Sequence, residues 1–244
     1  MKKLFLALMA VAAIALTGCE KSKNEPEMNL APSKDVEAVD LGLPNGIKWA
    51  NMNIGATKPE ECGAYFAWGE TTTKRIYDWS TYKHILKGKS SWDNINKYQV
   101  PDNHKEGIWY NGDDFIGDNK STLDLADDAA HVNWGDSWRM PTMDELNDLK
   151  TKCTWTWTQK NGINGYEVKG PNGNSIFWPA SGHRNGAALN EVGSCSYCWT
   201  SSLYENFSTR AYSVFFNSVK VAWDDYARPY GFSVRPVSTE EYQK

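Results

Sequence analysis

Residues 211–237 read AYSVFFNSVKVAWDDYARPYGFSVRPV, and this stretch decides the fold class. Tyr212, Val214 and Phe216 alternate with smaller residues, so they share one face of a strand. Asn217-Ser218 can turn the chain, and Val219, Val221 and Trp223 alternate on the way back. Asp224 to Tyr230 mixes acids, aromatics and an arginine and is expected to be a loop. Gly231 to Val237 is expected to return as a closing strand.

Working outward, the middle of the chain combines strand and helix signals. Thr154–Thr158, Gly165–Lys169 and Asn174–Pro179 are candidate strands, with Gly170-Pro171-Asn172-Gly173 as a turn. Thr142-Met143-Asp144-Glu145 is a capping box opening a helix that turns Leu146 and Leu149 to one side. A second helix is expected from Ser121-Thr122 through Leu125, Ala126, Ala129 and Ala130, ending before Gly135. Nearer the N-terminus, Val39–Leu43 and Ile47–Met52 flank Asn45-Gly46 as a hairpin, and Gly63–Trp68 is a further strand. Residues 70–120 keep no period and are read as a long insertion. The fold class expected from this pattern is α+β: short antiparallel strands, two main helices and long loops.

Lys2 and Lys3 precede an apolar run, Leu4–Leu16, too short to span a membrane. Leu16-Thr17-Gly18-Cys19 resembles a bacterial lipobox, with small residues at the cleavage point and a thiol to accept diacylglycerol. The expectation is a signal peptide over residues 1–18 and a membrane anchor on Cys19, with the protein on the outer membrane facing the cell surface. Residues 19–38 would be a lipidated flexible tether, 39–237 the folded domain and 238–244 a tail. Removing residues 1–18 leaves 226 residues (244 − 18) and, with Lys2 and Lys3 gone, a net charge of 24 − 30 = −6. That balance argues against nucleic acid as a partner.

Cys62, Cys153, Cys195 and Cys198 remain, and three disulfide pairings are open among them. Cys195-Ser-Tyr-Cys198 has redox-type spacing without a strand-helix context, so a structural or incidental role is favoured over redox or zinc chemistry. Asn111-Gly112-Asp113-Asp114 with Asp118 and Asn119 is oxygen-rich but lacks calcium-loop spacing, and an ordinary acidic loop is favoured. No nucleophile elbow, zinc-protease pair or phosphate loop occurs. Asp113/Asp114 and Asp127/Asp128 are weighed as catalytic acids, with solvated surface favoured. No enzyme activity and no cofactor are expected. Twelve tryptophans are a heavy aromatic load. Trp223, Tyr226 and Tyr230 beside Asp224, Asp225 and Arg228 have the make-up of a recognition surface.

Trp134-Gly-Asp-Ser-Trp138-Arg139-Met-Pro-Thr142 with Asp144-Glu145-Leu146 resembles a motif of the "major paralogous domain" lipoproteins of Bacteroidetes and Fibrobacter. So do Val39–Ala50, Phe177–Gly182, Trp199–Ser202 and Gly231–Val237. The likeness spans residues 39–237 and implies a C-type-lectin-like fold of the formylglycine-generating-enzyme branch. The ending Gly-Phe-Ser-Val-Arg-Pro-Val is similar to that of variable proteins of diversity-generating retroelements. The resemblance implies scaffold roles for Trp199, Ser201, Ser202, Tyr212, Phe216, Gly231, Val234 and Arg235. It implies ligand-facing roles for Tyr204, Glu205, Phe207, Lys220, Trp223, Asp224, Asp225, Tyr226, Arg228 and Tyr230. The function expected is a ligand-binding surface lipoprotein with a protein or glycan partner. A glycan- or envelope-polymer-acting enzyme and a fimbrial-tip component are the alternatives.

Overall fold

A computed structural model describes residues 28–135 and 137–238. These described residues are mostly β, with 34% strand and 12% helix, and form five small antiparallel sheets and one helix of seven or more residues. This corrects the expected α+β class with two main helices, and a C-type-lectin-like fold is not confirmed. The first expected helix is the reason. Only a 3-10 turn, Leu125–Asp127, and the six-residue α1, Ala129–Trp134, form there. Asp128 breaks the run because its extended backbone and carboxylate cap the amides of Ala130 and His131. Its other oxygen accepts from the amide of Met140 at 2.8 Å, tying the helix start to a distant strap. Thr122 meanwhile bridges Ser202 instead of turning into a helix.

α2, Met143–Lys152, starts where the capping box places it. Thr142 accepts from the Glu145 amide, and the Glu145 side chain accepts from the Thr142 amide. Buried Leu146 and Leu149 form its inner face. β1 (Ala38–Asp40) and β2 (Lys48–Ala50) pair with β13 (Val237–Ser238) in one sheet. β3 (Tyr110–Asn111) and β4 (Asp114–Phe115) form a minimal hairpin inside the 70–120 region. β5 (Thr154–Lys160), β6 (Ile163–Lys169) and β7 (Ser175–Pro179) form a meander near the expected positions. β8 (His183–Asn185) and β9 (Ala188–Asn190) make a short hairpin.

The central sheet joins β10 (Cys195–Leu203), β11 (Arg210–Asn217) and β12 (Val221–Ala227), in that order. β12 runs into the segment read as a loop, because an edge strand can carry Asp224 and Asp225 with one side of its backbone unpaired. The sheet lies between two cores. Tyr197, Trp199, Leu203 and Ala211 face one that contains Phe66, Trp68, Trp138 and Phe232. Cys198, Val214 and Phe216 face the other, with Leu146, Leu149, Trp49 and Trp178. The expected closing strand is only partly regular. Ser233 bonds to the Tyr197 carbonyl and receives the Trp199 amide, while Phe232 and Phe66 exchange both backbone bonds. Residues 231–238 therefore stitch β10 to the 47–66 segment. Gly231 must be glycine there, since a Cβ would sit 2.7 Å from the Tyr77 ring.

Candidate functional site

The register of β11 and β12 sorts the predicted ligand-facing residues onto two faces. Phe216 opposes Val221, Val214 opposes Trp223, and Tyr212 opposes Asp225. Trp223, Asp225 and Tyr212 therefore share a face, beyond the part of the sheet covered by α2. Phe215 opposes Ala222, Ser213 opposes Asp224, and Ala211 opposes Tyr226, which puts Asp224 and Tyr226 on the other face.

On the first face, aromatic rings follow one another. Trp223 lies 6.3 Å from Tyr212, Tyr212 lies 5.1 Å from Tyr204, and Tyr204 lies 5.9 Å from Phe207. His104, from the 70–120 region, packs 4.4 Å from Phe207 and ends the row. Trp223 is 49% exposed, the most of the twelve tryptophans, while Tyr204, Phe207 and Tyr212 are half-buried. Glu205 is exposed beside the row. Arg210 pairs with Asp225 through its side chain and donates to the Asp225 carbonyl at 2.7 Å. The hydroxyls of Tyr204 and Tyr212 and the Trp223 indole N–H make no hydrogen bond among the described residues. That leaves the polar edges of the row to solvent.

On the second face, Tyr226 and Tyr230 are half-buried and pack on the core with Tyr197, Phe232 and His183. The Tyr226 hydroxyl points at the Tyr197 hydroxyl, 3.4 Å away. Burial, reinforced by Asp224 and Glu191, raises the Tyr226 phenol. Lys220 is exposed at the β11–β12 turn, its ammonium 5.3 Å from the Phe215 ring centre. His183 sits 3.4 Å from Glu191, and burial lowers its pKa despite that neighbour.

Arg228 is a correction. It is fully buried, not ligand-facing. Its guanidinium donates to the Tyr82 hydroxyl at 2.8 Å and to the carbonyls of Tyr98, Ser208 and Lys97 at 3.1, 3.0 and 3.0 Å. It also lies over the rings of Trp68, Tyr82 and Tyr98. It anchors the end of β12 from inside. Tyr212, given a scaffold role by the resemblance, lies half-buried in the row between Tyr204 and Trp223. His104 and Arg210 had no local signal. Tyr212 did have one: the short turn at 217–220 sets a register that puts it on the Trp223 face.

The remaining candidates resolve differently. Cys153, Cys195 and Cys198 are free thiols, so no pairing within the set of four forms. Three positions apart on a strand, Cys195 and Cys198 point to opposite faces and enter different cores. Burial, with a hydrogen bond to Glu191, pushes the Cys195 thiol up to about 12, and burial pushes Cys198 up to about 11. Both are held as thiols, the unreactive form. Asp118 turns both oxygens inward to the amides of Tyr98 and Gln99, and Asp113 pairs with Lys105. Among the described residues no group of three or more His, Cys, Asp or Glu is placed to hold a metal ion. Asp127 and Asp128 are spent internally, Asp127 on Lys83, Lys97 and Tyr98 and Asp128 on the α1 cap. Cys19 lies outside the described residues. No family profile matches the chain, and neither a curated protein nor a solved structure does.

Proposed function

We propose that the protein is a lipoprotein, anchored through Cys19 at the cell surface, whose folded domain is a recognition module. The binding surface is the outer part of β12 with the 204–210 loop. The supporting observation is the row from Trp223 through Tyr212 and Tyr204 to Phe207, half-buried or exposed where β12 and β11 meet the 204–210 loop. Rigid rings supply contact area at small entropic cost, and the acids and Arg210 around them supply directional bonds. The 204–210 loop, the β11–β12 turn and the outer part of β12 are open to diversification, since Tyr204, Glu205, Phe207, Lys220, Trp223, Asp224 and Asp225 belong to neither core cluster.

The test is a binding panel of surface proteins and glycans against immobilised full chain. Trp223→Ala should lower affinity at least tenfold while shifting stability by no more than about 0.5 kcal/mol, the usual effect of an exposed substitution. Tyr230→Ala should instead lower the melting temperature, because that ring packs against Phe232. Full binding by a folded Trp223→Ala protein would remove the site from this face.

A further inference from the structure

The aromatic row also carries information about the chemistry of its ligand, granted the recognition reading above. Its members are flat rings, each within 6.3 Å of the next: Trp223 on β12, Tyr212 on β11, Tyr204 and Phe207 in the 204–210 loop, with His104 closing the end. Successive rings change orientation sharply. Tyr204 stands at 89° to Tyr212, and Tyr212 at 77° to Trp223, whereas Tyr204 and Phe207 are within 14° of parallel. Neighbouring rings along the row stand at centre spacings of 4.4 to 6.3 Å, comparable with the length of one pyranose unit.

We propose that this row binds an extended, uncharged polysaccharide chain, one sugar ring to each aromatic step. The electron-rich face of an aromatic ring attracts the weakly positive C–H bonds that cover one side of a pyranose. The free hydroxyls of Tyr204 and Tyr212, the Trp223 indole N–H and the Glu205 carboxylate then pair with sugar hydroxyls. A protein partner anchors by filling desolvated pockets with large side chains, whereas a sugar chain can lie along ring surfaces without one.

Charge selects the neutral class. Arg210, the cation within the row, is spent on Asp225, and Glu205 stands exposed, so the surface is net negative. Lys105, next to His104, is paired with Asp113. Lys220 lies on the opposite face, over Phe215. The full chain is also acidic, at −4. A uronate, sulfated or phosphorylated polymer would be repelled at the row and lacks a free cation to hold it.

Affinity electrophoresis of the full chain in native gels tests this. The gels contain galactomannan, xyloglucan, mixed-linkage β-glucan or yeast mannan, with polygalacturonate as the anionic comparison. At least one neutral polymer should retard migration, unchanged by a calcium chelator, with no retardation by polygalacturonate. Trp223→Ala should weaken the association constant at least tenfold with a melting temperature near wild type. Val132→Ala, equally exposed at 49% on α1, should leave it unchanged. Retardation by polygalacturonate alone, or by none of the neutral polymers, overturns the proposal, as does wild-type retardation of a folded Trp223→Ala protein. If the neutral polymers fail but Trp223→Ala still abolishes binding to a surface protein, the glycan assignment falls and the recognition reading stands.

Discussion

Removing Arg228 separates the two roles that can be assigned to it. Its guanidinium has no exposure and satisfies one tyrosine hydroxyl and three backbone carbonyls, from Tyr82, Lys97, Tyr98 and Ser208. Arg228→Ala leaves four buried acceptors short of a donor and opens a void between three aromatic rings. Each orphaned polar group costs about 1–3 kcal/mol, and relaxation makes the sum smaller than its parts, so a loss of about 5 kcal/mol is expected. A chain of this size loses about 2–4 °C per kcal/mol, which places the fall in melting temperature at roughly 10–20 °C. Arg228→Lys should recover little, because one ammonium cannot replace a planar fork serving acceptors in several directions. Thermal unfolding by circular dichroism, with guanidinium titration as a check, measures both. A melting temperature within about 4 °C of wild type, accompanied by lost ligand binding, would refute the anchoring argument and restore Arg228 to the ligand-facing set.

Two further outcomes are expected. His84 is buried between Tyr82 and Tyr98, and burial, helped by the Arg228 charge, pushes its pKa down to about 4. The folded state therefore binds the proton less well than the unfolded chain, whose histidine titrates near ~6.5. Stability is whole above that pH and falls as pH drops from about 6.5 to 4, by up to about 3 kcal/mol; denaturant midpoints across that range should lose this slope in His84→Gln. If the C-terminal segment is diversified, sequencing the gene region for residues 195–237 across a natural population should show adenine-directed substitutions at 204, 205, 207, 220 and 223–225. Arg228 and Gly231 should be constant, and variation at the Arg228 codon equal to that at Trp223 would contradict the division between anchor and surface.

What could be read in the chain follows the sequence distance of the partners that decide each feature. The α2 cap was legible because Thr142 and Glu145 satisfy each other three residues apart. The β5–β7 meander was legible because its turns are short and strongly marked. The helix expected from residue 121 failed on Asp128, whose carboxylate is claimed by Met140, a contact that no local pattern announces. Asp224 and Asp225 look like loop residues by composition. They lie in a strand because β12 is an edge and because Arg210, fifteen residues before Asp225, neutralises it. Arg228 was misplaced for the same kind of reason, since three of its four acceptors lie 130 to 146 residues away.

The position of that anchor bears on how a binding edge can tolerate change. Among the described residues β12 has a neighbour on one side only, and Trp223, its one exposed side chain, belongs to neither core, so it can vary without reaching them. An edge strand held only by its ladder to β11 would fray, and its open side would invite pairing with another chain. Arg228 counters this just past the strand end. Its amide bonds to Thr209, its carbonyl receives the Trp68 amide, and its side chain reaches into the 82–98 segment. Stability at this edge is thus drawn from a residue that points inward, and specificity from residues that point outward on the strand before it. A strand arranged in that way can change what it binds while keeping where it sits.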